Sequence, residues 1–423
     1  MTGVLSLVVQ RIVLTSVVLF SGYAFLVLLL TFPAPQRYAV YLNWANYPFG
    51  VDWNAPESFG FAHNKVRNFN ITTPDNVTIG KFPLHSRAWH ILPTKYHFSS
   101  GLRHLPANAT VPESKYDAAL TQRGVDTVVY FHGNAGNRAS PWRIGTYKIW
   151  INPMAQADPQ NLPSTHQRIA DKFNVNIITV DYRGFGNSEG FPTEEGLNID
   201  AKAVWDWLII RGGTYGNVLR YLRPNQIHIL GHSLGSGVAA KLASSLCANG
   251  TAPKTLILEA AYSSITEVMF EYRMLGLTPL LGPLRWFPFL QDTLRGRLTE
   301  RFDSVAAIEN VTSPILLIFG TLDRDIPTAH SRRLFHRAVN RGVENFTVFD
   351  KAGVWPRGDK LVAAKVIPGE GSRFDFVPAK GKNTGRLTML ELDRGHHNNL
   401  PYFDITYDVL GEFTGLGPEV GTK

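Results

Sequence analysis

Five short segments of almost unbroken apolar character run through the middle of this chain, each stopping at a polar or glycine-rich turn. They are "DTVVYF" (126–131), "VNIITVDY" (175–182), "QIHIL" (226–230), "TLILEA" (255–260) and "PILLIFG" (314–320). A strand with one wet face alternates apolar and polar residues, whereas a parallel strand covered on both faces reads as a continuous apolar run. Helix-sized segments lie between them, such as 193–213, where apolar residues fall three and four apart. This alternation predicts an α/β fold with a mostly parallel sheet, helices on both faces, and strand C-termini left free for chemistry. Upstream, 66–73 and 76–93 alternate apolar and polar residues about Pro74, Asp75 and Asn76, and predict antiparallel hairpin strands. A chain of 423 residues with 44% hydrophobic and 18% charged content can bury one large core with appendages.

The first appendage is "IVLTSVVLFSGYAFLVLLLTF", 12–32, a stretch without charge between Arg11 and Arg37. At about 1.5 Å per residue it spans a hydrocarbon core as a helix, and it exceeds the apolar region of a cleaved signal peptide. The predicted organisation is a tail (1–11), a transmembrane signal anchor (12–32), a membrane-proximal linker (33–62) and a catalytic-sized domain (63–415). Two segments interrupt that domain. A long aromatic-rich stretch at 265–309 is expected to form a cap, and a Gly- and Lys-rich stretch at 350–386 a loop insertion before the last strand, "LTMLEL". The net charge of +8 comes from scattered Lys and Arg with no dense basic run, so no nucleic-acid partner is expected. With one cysteine, Cys247, neither an intrachain disulfide nor a thiolate metal site can form, and Cys247 is expected to be a small buried hydrophobe.

The strand 226–230 runs into Gly231-His232-Ser233-Leu234-Gly235, and "VAAKLASSLCA" then continues as a helix. The G-x-S-x-G pattern in a strand-to-helix setting marks a serine nucleophile on a tight turn, with glycines where larger residues would clash. A serine hydroxyl needs a base and the base an orienting acid, and in this kind of fold they follow in the order Ser, acid, His. Asp323 and Asp325, just past the strand 314–320, are the acid candidates, and the Asp-x-x-Ile-Pro spacing favours Asp323. His396 and His397 follow the last strand, and adjacent side chains diverge, so only one of them can reach Ser233. The same divergence, with no third ligand at helical spacing, argues against a metal. The backbone N–H of Leu234 and that of Asn134, in "FHGNAGN" (131–137), are the candidate oxyanion donors, with His132 and Gly133 shaping the turn. His232 is expected to pack beside the elbow, and "DYRGFGNSEG" (181–190) to be a structural loop near the pocket.

These residues resemble the α/β-hydrolase superfamily. "WNAPESFGF", "FHGNAGN", "DYRGFGNSEG", "GHSLGSG" and "GTLDRDIP", together with the anchor, are similar to the membrane-anchored lysophosphatidylserine and monoacylglycerol lipases of the α/β-hydrolase-domain group. The resemblance favours His397, which an Asn follows, over His396. It implies a serine hydrolase without cofactor, with its catalytic domain in the endoplasmic reticulum lumen or outside the cell. The 350–386 insertion departs from the shorter connection of that group.

The expected reaction is acyl transfer. His397, oriented by Asp323, takes the Ser233 proton, the serine attacks an ester carbonyl, and water hydrolyses the acyl-enzyme. An anchor that concentrates the domain at a bilayer, and the apolar stretch 274–290, favour a lysophospholipid or monoacylglycerol as the lipid ester substrate; no obligate protein partner is evident. A protein-acyl thioesterase and a non-catalytic membrane scaffold on the same fold are the rival readings. Six Asn-x-Thr sequons, at Asn70, Asn76, Asn108, Asn249, Asn310 and Asn345, favour a lumenal domain. Glycosidase treatment is expected to increase gel mobility; an unchanged band with all six sequons intact would place the domain in the cytosol.

Overall fold

The computed structural model describes residues 2–75, 78–79, 88–106, 109–151, 173–211, 222–272, 279, 281–340, 362–378 and 385–416. The chain begins with helices α1 (Thr2–Leu29) and α2 (Pro33–Tyr41). Strands β1 (Val66–Phe69), β2 (Ile71–Thr72), β3 (Thr78–Ile79) and β4 (Ala88–Ile91) follow, then helices α3 (Thr94–Ser99) and α4 (Glu113–Leu120). The alternating part comprises β5 (Thr127–Phe131), α5 (Pro141–Ile151), β6 (Asn176–Val180), α6 (Glu194–Arg211), β7 (Ile227–His232), α7 (Leu234–Ala248) and β8 (Thr255–Glu259). Next come α8 (Ile265–Glu271), α9 (Pro288–Arg297), α10 (Ser304–Ile308), β9 (Ile315–Gly320) and α11 (Thr328–Val339). The chain closes with β10 (Val362–Ile367), β11 (Gly371–Phe376), β12 (Leu387–Leu392) and α12 (Asp404–Thr414).

Ten strands form one sheet in the order β1-β4-β6-β5-β7-β8-β9-β12-β11-β10. The six central strands, β6 through β12 in that order, pair in parallel, and antiparallel strands finish both ends. Their side chains alternate between two layers, as the period of two requires. Val129, Phe131, Ile229, Leu258 and Leu317 pack with α6, α7, α10 and α11, while Val128, Tyr130, Leu230, Ile257 and Ile318 pack with α5 and α12. Both faces are covered, which accounts for the unbroken apolar runs.

Three segments differ from the sequence-based expectations. The stretch 350–386, expected as a loop, contains the hairpin β10–β11, which extends the sheet beyond β12; residues 350–361 and 379–384 lie outside the described residues. "VAAKVI" and "GSRFDF" flank a Pro368-Gly369-Glu370 turn whose Gly369 has φ 79°, and the surrounding Gly and Lys content concealed that signal. The expected span 12–32 belongs to a helix that starts at Thr2 and stops at Leu29. The runs 66–73 and 76–93 each divide, so that β1 pairs with β4 and β2 with β3 in a separate two-stranded sheet; 80–87 are not described. Cys247 is half-buried, packed against the core with its sulfur accepting from the Thr312 N–H at 3.3 Å.

The stretch expected as a linker starts with a clamp. Gln36, fully buried on α2, donates through Nε2 to the carbonyls of Leu30 (2.8 Å) and Arg297 (3.0 Å) and accepts through Oε1 from the Thr299 N–H (2.9 Å). One amide side chain thus ties the turn after α1 to the turn after α9, 263 residues away. Gln36→Ala removes the partner of the buried Leu30 carbonyl, at about 1–3 kcal/mol, and of two backbone groups nearer solvent. The variant is expected to lose about 1–3 kcal/mol of stability, seen as a lower melting temperature in detergent.

Candidate active site

Strand β7 ends at His232 and α7 starts at Leu234, so one residue, Ser233, makes the whole reversal, at φ 52° and ψ −121°. Such a conformation costs on the order of 1–3 kcal/mol for a residue with a side chain and survives where the surroundings impose it. The surroundings here are tight. A Cβ on Gly231 would meet the Gly235 carbonyl and lie 2.7 Å from the Ala239 Cβ, and one on Gly235 would meet the Phe131 carbonyl and lie 2.8 Å from the His132 oxygen. The Ser233 N–H donates to the Glu259 carbonyl at 3.0 Å, which fixes the turn against β8.

The loops after β9 and β12 converge on that serine. His397 Nε2 lies 2.9 Å from Ser233 Oγ, and His397 Nδ1 lies 2.8 Å from Asp323 Oδ2. The other Asp323 oxygen accepts the backbone N–H groups of Asp325 and Ile326, both at 2.9 Å. Burial disfavours ionised Asp323, but its bond to His397 and the two amides outweigh that and hold its carboxyl below the usual range. Burial likewise works against a charged His397, yet the Asp323 hydrogen bond and charge prevail and raise its pKa above the ordinary value. The alternative residues sit elsewhere. His396 is exposed, its Nδ1 3.2 Å from the Leu322 carbonyl, while Asp325 lines the cavity without bonding the His397 ring.

His232 packs against His397, ring centroids 5.1 Å apart, and its Nε2 donates to the His397 carbonyl at 2.8 Å. Burial, then the nearby His397 charge, pushes its pKa down to about 3, so it stays neutral. Asp323, Asp325 and His397 bring donor atoms within 4.8 Å of one another, as a metal site requires. The Asp323 and His397 donors are bonded to each other, and Asp323 also to two backbone amides.

The loop after β5 forms the opposite rim. Arg143, buried on α5, donates through Nη2 to the carbonyls of Gly133, Asn134 and Ala135 at 3.0, 3.1 and 2.7 Å. With three carbonyls pinned, the Asn134 N–H has no protein acceptor among the described residues, and neither does that of Leu234; both residues line the cavity above Ser233. Asp181 braces the loop from behind, accepting from the Arg138 N–H at 2.6 Å and lying 3.2 Å from His132 Nε2. The segment 181–190 is therefore a brace for this loop, also held by Asn43 and Asn46, which donate to the carbonyls of Gly184 and Gly186.

The cavity holds about 430 Å³ and its lining is mostly apolar. Several of its residues were not singled out from the sequence. Leu26 and Leu30 come from α1 and the turn after it, Ala39, Val40 and Leu42 from α2 and its end, and Met269 and Leu281 from the cap segment. Arg143 and the buried Glu259 were also missed. Both Glu259 carboxyl oxygens lack a partner among the described residues, and burial raises its pKa to about 8. Two polar asparagines in the apolar "LNWANYP" were the one legible sign that 33–62 is built into the site.

The profile of the Alpha/beta hydrolase family matches residues 128–364. The lysophosphatidylserine lipase ABHD12 of Danio rerio is 27% identical over 307 residues, covering 73% of this chain and 67% of that protein. Protein ABHD12B of Homo sapiens is 29% identical over 308 residues, covering 71% and 69%. Among solved structures, the Pyrococcus furiosus esterase Pf2001 aligns at 15% identity with a TM-score of 0.46, covering 88% of this chain and 99% of that one.

A base must be neutral to accept a proton, so with His397 acting as the base for Ser233, activity is expected to fall as pH drops through a value above the ordinary imidazole value of about 6.5. Asp323→Asn is expected to lower kcat about 10³–10⁴-fold and to move that acid limb of kcat/KM to lower pH. A limb that stays in place in the variant would separate Asp323 from the ionisation.

Proposed function

The chain belongs to the alpha/beta hydrolase family, and from that premise we propose that it is a membrane-anchored serine hydrolase of lipid carboxylic esters, acting on a lysophospholipid or monoacylglycerol. The observation that carries this reading is the hydrogen-bonded series Ser233, His397, Asp323 at the floor of a cavity walled by an apolar N-terminal helix. His397 accepts the Ser233 proton while Asp323 holds the ring and offsets the developing imidazolium. The Leu234 and Asn134 N–H groups receive the negative charge of the tetrahedral intermediate, aided by the positive end of α7. His397 then returns the proton to the leaving alcohol, and a water molecule activated in the same way releases the acid.

Several features support a bilayer as the setting. The apolar stretch Leu7–Leu29 has a mean hydropathy of 2.4 and is long enough to cross a membrane. Beside its C-terminal end, the cap exposes Trp286, Phe287, Phe289 and Leu290, with Arg285, Arg295 and Arg297 nearby. Aromatic residues edged by cations suit the headgroup level of a bilayer. A lysophosphatidylserine lipase among the relatives agrees with an amphiphile of one acyl chain and an anionic head. Three sequon asparagines, Asn70, Asn249 and Asn310, are exposed, which suits an endoplasmic reticulum lumenal domain on a single-pass anchor.

The test is chemical. The full-length protein in native membranes is expected to react with a fluorophosphonate probe, and Ser233→Ala to abolish labelling. Lipid profiles of cells expressing that variant are expected to show accumulated lysophospholipid or monoacylglycerol relative to wild type. A folded wild type that does not label would instead favour a non-catalytic scaffold.

A further inference from the structure

We infer that the last two turns of the anchor helix form the acyl-chain wall of the substrate site, and that Leu26 and Leu30 set the chain length it accepts. The inference deepens the lipid-hydrolase reading above and rests on it. Along α1 the described side chains from Leu7 to Phe20 are all exposed, as a lipid-facing helix demands. From Tyr23 the pattern changes. Tyr23, Leu26, Val27 and Leu30, at spacings of three, one and three, turn toward the protein, and Leu30 is only 5% exposed.

This face divides its contacts. Tyr23, Val27 and Leu30 pack on the cap residues Phe270, Leu281, Leu284 and Leu294, whereas Leu26 and Leu30 line the cavity that contains Ser233. The anchor is thus more than a tether. Its wall is continuous with α2 through Val40, and α2 is bound to the oxyanion-side loop by the Ala135 N–H donating to the Tyr41 carbonyl at 3.0 Å. Gln36 closes the arrangement by bonding the Leu30 carbonyl to the turn after α9. These bonds and packing contacts hold the end of the helix against the site.

The chemical consequence concerns the route of the substrate. A chain lying in the bilayer alongside α1 passes from lipid to the apolar cavity without entering water, and its ester, at the polar end, reaches Ser233. Bulk at Leu26 then shortens the space available to the far carbons and leaves the ester position alone. Removing it lengthens that space.

The experiment uses full-length protein in detergent micelles with p-nitrophenyl esters from C4 to C16 and fluorophosphonate labelling in parallel. Leu26→Trp is expected to lower the C16-to-C4 ratio of kcat/KM about tenfold, and Leu26→Ala and Leu30→Ala to shift the preferred length upward. Leu19→Trp, on the lipid-facing side at 69% exposure, is expected to leave the ratio unchanged. Labelled, folded Leu26 variants whose length profile matches wild type, or Leu19→Trp changing it equally, would overturn the inference. A wild type that neither labels nor cleaves any ester would instead overturn the hydrolase reading.

Discussion

One constraint organises this molecule: a non-glycine residue must turn the chain at φ 52° between the central strand β7 and the helix α7. The turn works only if nothing projects from positions 231 and 235, because the Phe131 carbonyl, the Gly235 carbonyl and Ala239 fill the space a side chain would need. It also works only if β8 supplies the Glu259 carbonyl to the Ser233 amide. The sheet therefore has to be built before the serine can be presented. Because the six central strands run parallel, their C-terminal ends share an edge, and the loops after β5, β9 and β12 meet at the elbow without long excursions.

Those loops hold one another. The Leu322 N–H donates to the Gly395 carbonyl and the Thr321 N–H to the Leu392 carbonyl, which locks the acid-bearing loop to the histidine-bearing one, and His232 at the elbow donates to the His397 carbonyl. Across the cavity, Arg143 ties three successive carbonyls of the loop after β5, whose Asn134 N–H has no protein acceptor among the described residues. Such preorganisation matters because a donor that must reorient during reaction gives back the stabilisation it provides. The N-terminal segment completes the enclosure, with α2 and the turn after it fastened to the loop after β5 and to the 181–190 loop after β6.

Much of the fold was legible because the central strands, buried on both faces, carry their environment in composition alone. The elbow was legible because its steric requirement translates directly into glycines at fixed spacing. His396 and His397, in contrast, differ by one position, and the choice between them lies in a loop path set by Gly395 packing against Gly320, which no local pattern records. The cavity wall was hidden for the same reason: Gln36 meets Thr299 across 263 residues, and Leu26 looks like any other apolar residue of a spanning helix. In β10 and β11 composition misled, since a short hairpin at a sheet edge was embedded in a stretch whose surrounding Gly and Lys content reads as loop. An edge strand carrying charge is a device against unwanted pairing, and it erases the usual strand signature.

The electrostatics of the site follow from the same packing. A carbonyl can only accept, so the His232 Nε2 that faces the His397 carbonyl must carry its proton, and its low pKa keeps the ring neutral with the other nitrogen bare. The carboxylate of Asp323 dictates that His397 Nδ1 is protonated and that Nε2 accepts from Ser233. His232 is thus a fixed donor that positions His397 at any moderate pH without competing for the serine proton. Burial raises the Glu259 pKa to about 8, so this carboxyl is less readily ionised than an exposed one. The imidazole that contacts Ser233 is the ring whose pKa the Asp323 hydrogen bond and charge raise above the ordinary value, against the effect of burial.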